Sequence, residues 1–198
     1  VIKYLLFDLD GTITDSADGI TNSVSYALGN LGISEEKSNL YRFVGPPLVD
    51  SFKEFYGFDE KKAEEGVRLY REYYAVKGIF ENKVYPGIRE MLTRLKDAGL
   101  TLAVATSKPE PFAIQILEHF DLLSYFTLVG GADMEEIRVR KGDVIAYTLD
   151  RLGTTPEESK VIMVGDRKHD VEGAKKTGLS VVGVLYGYGS REELQDAG

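Results

Sequence analysis

Two aspartates stand two positions apart at the end of an apolar run, in Phe7-Asp8-Leu9-Asp10-Gly11-Thr12. Carboxylates at that spacing can divide a reaction: one attacks an electrophilic centre, and the other moves protons for the leaving group and the water. Gly11 supplies the backbone freedom for a turn that would bring both to one centre. Thr106-Ser107-Lys108-Pro109 and Gly165-Asp166-Arg167-Lys168-His169-Asp170 also stand where apolar runs stop. Lys141 opens an amphipathic stretch between them. Brought together, Asp8, Asp10, Asp166 and Asp170 would repel one another and resist full ionisation. A hard divalent cation relieves that repulsion, and Mg²⁺ is commonly held by carboxylates with substrate phosphate completing its shell. Thr106 offers a hydroxyl and nearby backbone N–H donors for a phosphate, and Lys141 offers a point positive charge. Nucleophile, acid–base group, metal and phosphate clamp are the parts of phosphoryl transfer. Asp8 is the expected nucleophile and Asp10 the expected acid and base, with Thr106 and Lys141 as the clamp.

The elements that must position these residues follow from hydrophobic period. Residues 2–8, 100–106, 126–130, 161–164 and 180–184 are short apolar runs, which read as strands of a parallel sheet covered on both faces. Amphipathic helices are expected between them at 87–98, 110–120, 141–152 and 170–177, with Gly99, Gly153 and Gly178 as stops. This β-α alternation predicts an open, doubly wound, mostly parallel α/β sheet. In such a sheet ligands bind beyond the carboxyl ends of the strands, where the residues named above lie. The stretch 16–83 breaks the alternation and reads as helices at 16–31, 48–56 and 60–74. It is far longer than the roughly 2–6 residues of an ordinary βα loop. The expected organisation is a core of residues 1–15 and 84–198 with an inserted helical subdomain of residues 16–83.

The motifs Asp8-Leu9-Asp10-Gly11-Thr12, Thr106, Lys141 and Gly165-Asp166-x-x-x-Asp170 resemble the four ordered motifs of the haloacid dehalogenase superfamily. The likeness spans the whole chain, because the helical insert matches members with a cap after the first strand. Cap position, Thr106-Ser107-Lys108-Pro109 and Gly187-Tyr188-Gly189-Ser190 resemble the phosphoglycolate phosphatase-like branch, which includes bacterial nucleotidases. The resemblance implies a Mg²⁺-dependent phosphatase acting on a small phosphorylated metabolite through an aspartyl-phosphate at Asp8. It implies Mg²⁺ bound by the Asp8 side chain, the Asp10 backbone carbonyl and Asp166, with Asp170 acting in part through water. It further implies a cap that closes over the site and selects the leaving group. Gly11 and Ser107 beside the catalytic positions, and Arg42 and Gly45 in the loop 41–47, are the expected substrate contacts.

Within the superfamily, Asp10 argues against dehalogenation, and Thr12 stands where mutases of this branch usually carry valine. A sugar phosphate mutase and a non-catalytic module that binds a phosphorylated ligand are the rival readings. Lys141 is preferred over Arg138 and Arg140 because it directly precedes a helix. His169 is expected in a supporting position, His119 at a helix C-terminus, and the aromatic residues of 41–74 chiefly as the core of the cap. The chain has 198 residues, 43% hydrophobic and 28% charged, an ordinary globular composition. Its net charge of −8 argues against duplex nucleic acid as a partner. The absence of cysteine excludes disulfides and thiolate chemistry and fits a cytoplasmic protein. No apolar run approaches the roughly 18 residues of a membrane span, and the opening residues enter a strand at once, with no leader expected.

Overall fold

A computed structural model describes residues 2–135, 137–157 and 160–198. Its elements in chain order are β1 (Ile2–Phe7), β2 (Thr14–Asp15), α1 (Ala17–Asn30), α2 (Lys37–Leu40), α3 (Leu48–Tyr56), α4 (Glu60–Tyr74) and β3 (Lys83–Val84). There follow α5 (Ile88–Asp97), β4 (Thr101–Pro109), α6 (Glu110–His119), β5 (Leu128–Ala132), α7 (Lys141–Leu152), β6 (Lys160–Gly165), α8 (Lys168–Lys176), β7 (Ser180–Gly183) and α9 (Arg191–Ala197). The chain divides into two compact units, one of residues up to Asp15 with Val84–Gly198, the other Ser16–Lys83.

The first unit is an α/β sheet in the order β5-β4-β1-β6-β7. All four strand pairings are parallel, as the two-sided apolar runs predict. Strand β1 is central, and the chain leaves it toward β4 on one side before returning to β6 on the other. Its carboxyl end is therefore the topological switch point, where a crevice opens between neighbouring connections. Register fixes the faces. Leu6 lies beside Ala103 of β4 and Met163 of β6. These three join Ala105, Val144, Ile145, Leu149, Val161, Ala174 and Leu179 in one buried cluster under α7 and α8. Phe7, one residue on, points to the opposite face and meets Phe126 edge-on at 6.2 Å between ring centroids.

The second unit is helical. Asp59 caps α4 by accepting the Lys62 N–H at 2.9 Å, and Gly57 ends α3 in the left-handed region at φ 65°. Phe43, Phe52, Phe58, Tyr70 and Tyr74 are buried, so these aromatic residues do form core. Phe52 stacks on Phe58 at 5.9 Å and Tyr70 on Tyr74 at 5.3 Å.

Some elements differ from the sequence reading, for local reasons. Strand β4 continues to Pro109, past the apolar run, because its ladder to β5 resumes at Pro109–Ala132. Helix α8 begins at Lys168, with Asp170 in its first turn accepting the Asp166 and Arg167 N–H groups at 3.1 and 3.0 Å. A carboxylate two residues inside the helix start is here a cap as well as a site residue. Helices α2 and α9 are too short and polar to give a periodic signal, although Ser190 caps α9 through the Glu193 N–H at 3.1 Å.

Leu6 sits at the centre of the sheet core with no exposure. Leu6→Ala should cost about 2–5 kcal/mol, a central-core value. Chemical denaturation should show it as a lower midpoint at unchanged slope.

Candidate active site

The register that buries Leu6 also aligns the reactive residues. Phe7 pairs with Val104 and with Val164, so Asp8 stands level with Ala105 and Gly165, and Thr106 and Asp166 lie one step beyond. The Asp8 backbone N–H still donates to the Val164 carbonyl at 2.9 Å, which ties this residue's backbone to the sheet. Its side chain is buried, and Oδ1 accepts the Leu9 N–H at 2.8 Å.

Lys141, the first residue of α7, places its ammonium among the strand ends. It lies 2.7 Å from Asp8 Oδ1 and 2.9 Å from Asp170 Oδ1, and donates to the Ala105 carbonyl at 3.1 Å. Burial alone would lower its pKa, but the Asp170 and Asp8 carboxylates overcome burial and hold it well above an ordinary lysine. Neighbouring Arg138 stacks instead on Tyr147 at 3.7 Å, and Arg140 is exposed.

Asp166 is fully buried and gripped from two sides: its Oδ1 accepts the Thr12 hydroxyl at 3.1 Å and its Oδ2 accepts the Tyr188 N–H at 2.8 Å. Burial first, then the nearby Asp8 and Asp170 carboxylates, push Asp166 up to about 7 against those hydrogen bonds. Burial and Asp170 likewise raise Asp8, with Lys141 opposing them. Two glycines make this closeness possible. Gly11 has φ 81°, and a Cβ there would fall 2.2 Å from Asp166 Oδ2. At Gly187 a Cβ would fall 2.3 Å from the Gly11 carbonyl oxygen.

Ligand atoms of Asp8, Asp166 and Asp170 lie within 4.8 Å of one another. Three carboxylates and one ammonium would leave two negative charges uncompensated in a buried volume. The donors are all oxygen, which suits a hard divalent cation. Thr106 is buried beside this trio, its hydroxyl oxygen accepting the Lys108 N–H at 3.2 Å. Ser107 is half-buried next to it. Asp10 is ion-paired at 3.0 Å to Lys108, a residue to which sequence reading assigns no role. The Tyr188 N–H and the Thr12 hydroxyl are likewise invisible in the sequence as partners of Asp166. His169 is half-buried, 3.8 Å from Glu172, and burial with the Arg167 charge lowers its pKa. In the helical unit, Arg42 lies 4.4 Å above the Phe55 ring and 5.3 Å from that of Tyr56, and Gly45 is an exposed turn residue at φ 109°.

The geometry and the fold define a class. Residues 5–184 match the haloacid dehalogenase-like hydrolases, and the chain belongs to that family as an enzyme of its phosphatase type. It is 46% identical to a 5'-nucleotidase of Pseudomonas aeruginosa over 96% of this chain and 86% of that one. It is 32% identical to the phosphoglycolate phosphatase of Salmonella typhi, covering 98% and 85% of the two chains. A tyrosine-protein kinase of Mycobacterium tuberculosis is 42% identical over 94% of this chain, which spans 63% of that protein. A crystal structure described as a predicted phosphatase from Clostridium acetobutylicum superposes with TM-score 0.96 at 51% identity, covering 100% and 91% of the chains. Among the described residues no helix is long and apolar enough to cross a membrane.

The raised Asp166 carboxyl gives a signed pH expectation. Its folded pKa of about 7 exceeds the model-compound value of 3.8, so the cation-free fold binds the extra proton and loses stability as pH rises through about 7. A divalent cation on the trio competes with that proton. Mg²⁺ should therefore raise the melting temperature more at about pH 8 than at about pH 5.5. An equal shift at both would remove Asp166 as a cation ligand.

Proposed function

We propose that the chain hydrolyses a small phosphomonoester with Mg²⁺, through an aspartyl-phosphate on Asp8. The observation that carries this is the buried trio Asp8, Asp166 and Asp170 around Lys141, whose excess negative charge calls for a cation and then a phosphate. Asp8, Asp166 and the Asp10 carbonyl are the groups we assign to Mg²⁺, with Asp170 supporting. When bound, the cation supplies charge neutralisation at the phosphoryl oxygens.

The protein's own residues do the rest. Lys141 and the Leu9 N–H both meet Asp8 Oδ1, so Oδ2 is the oxygen we assign as nucleophile. Oδ2 forms a bond to phosphorus as the ester P–O bond breaks, and Asp10 gives its proton to the departing oxygen. Asp10 then takes a proton from the water that attacks phosphorus, and the Asp8–phosphorus link breaks to release phosphate. Thr106, Ser107, Gly11 and Lys141 are the proposed phosphate contacts. In this reading residues 16–83 form a cap that selects the leaving group, with Arg42 and Gly45 as candidates for its distal part. The relatives named for a nucleoside monophosphate and for phosphoglycolate make those two esters the first substrates to try.

A phosphomonoester panel assayed by phosphate release with Mg²⁺ tests the proposal. Asp8→Asn should remove activity by about 10⁴-fold or more, the scale of losing a covalent nucleophile, with the fold kept by circular dichroism. Full Mg²⁺-dependent turnover in that variant would overturn the assignment. Phosphate transfer from ATP to protein tyrosine, without net release, would instead favour the activity named for the mycobacterial relative.

A further inference from the structure

Asp10 is ion-paired to a buried lysine, Lys108. Along β4 the parallel ladder to β5 runs in step from Ala103–Leu128 to Ala105–Gly130, then breaks and resumes at Pro109–Ala132. Four residue steps on β4 therefore face two on β5. Such an irregularity bends a strand and re-aims its side chains, and these devices gather beside active sites. Thr106, Ser107 and Lys108 fill the break. The fold around it is tight, since a Cβ on Gly131 would fall 2.8 Å from the Lys108 carbonyl oxygen.

The Lys108 side chain is 5% exposed, and its ammonium lies 3.0 Å from Asp10 Oδ2. Burying an ammonium is unfavourable unless its partner is well placed, so a buried lysine beside a reactive carboxylate is a costly choice for mere solubility. The two oxygens of Asp10 are thereby made unequal. Oδ2 faces Lys108, whereas Oδ1 is buried and takes no hydrogen bond among the described residues. The Lys108 N–H also donates to the Thr106 hydroxyl oxygen at 3.2 Å, so one residue touches both the proposed phosphate clamp and the acid–base group.

We propose that Lys108 is a positioning residue: it holds Asp10 by Oδ2 and so presents Oδ1 as the oxygen that exchanges the proton. The inference rests on the reading of Asp10 as acid and base. In the first half-reaction the proton passes from Oδ1 to the ester oxygen as the P–O bond breaks. In the second, the attacking water returns a proton to Oδ1 as phosphorus leaves Asp8.

Leaving-group dependence separates this role from a structural one. An alkyl leaving group needs protonation, whereas p-nitrophenolate departs without it. Lys108→Met, Lys108→Arg and Asp10→Asn are compared in single-turnover release of alcohol from the best alkyl ester and from p-nitrophenyl phosphate. The expected result for Lys108→Met is a rise in the nitrophenyl-to-alkyl rate ratio of about tenfold or more, partly reversed in Lys108→Arg, within the general acid–base range. Asp10→Asn should raise the same ratio, and adding Lys108→Met to it should raise it no further, since the lysine acts through the aspartate. If Asp10→Asn changes the ratio but Lys108→Met slows both esters alike or neither, the positioning role is overturned and Asp10 keeps its own. If Asp10→Asn leaves the ratio unchanged, the acid–base reading itself fails. Should Lys108→Met not fold, Lys108→Gln takes its place in the same comparison: a raised nitrophenyl-to-alkyl ratio supports the role, and an unchanged ratio overturns it.

Discussion

One constraint governs the rest of this molecule: carboxylates must stand within a few ångströms of each other where water is scarce. Asp8, Asp166 and Asp170 meet that demand only because a single buried ammonium, Lys141, touches two of them. Removing such a cation leaves like charges facing each other at low dielectric, where each resists ionisation. The upward pressure on Asp8 and Asp166 records how incompletely one lysine satisfies three acids. The deficit is of the kind that a hard divalent cation would fill.

The architecture follows from that constraint. Parallel strands in register bring β1, β4 and β6 to a common edge, so residues from three distant parts of the chain arrive level with each other. Side chains at the same register row, Leu6, Ala103 and Met163, are all fully buried, which keeps the edge from shifting. Close approach then depends on missing side chains. Gly11 and Gly187 let backbone lie against Asp166 where any Cβ would collide. Hydrogen bonds complete the grip: Asp166 is held by a hydroxyl and an N–H, and Asp170 by two N–H groups at the start of α8.

Much of this is legible in the sequence, and the reasons are specific. The strand runs are apolar on both faces, so their ends stand out, and the residues found at those ends are Asp8, Thr106 and Asp166. Lys141 is distinguishable from Arg138 and Arg140 because a helix starts on it, and its ammonium is the one that meets Asp8. The helical character of 16–83 announces itself by length and by helical period. Lys108 escapes notice for a different cause: a lysine after a strand usually reads as solvated surface, and only the broken ladder to β5 turns it inward. Tyr188 is equally silent, since it is the backbone N–H that reaches Asp166, and no side-chain pattern announces it. Local chemistry is visible in residue types, whereas partners made by backbone groups or by irregular strands depend on tertiary placement.

The loop after β7 closes on the segment that follows β1. The Tyr186 hydroxyl donates to the Thr12 carbonyl, 174 positions earlier, and the Tyr188 hydroxyl meets Asp15 at 2.8 Å. In synthesis order Asp8 thus long precedes the loop whose backbone grips its neighbour Asp166. A nascent chain carries Asp8 without its neighbours until β6 and this loop have emerged. Such long-range closure slows folding compared with local helical assembly. The carboxylate cluster exists only once these two distant segments have met.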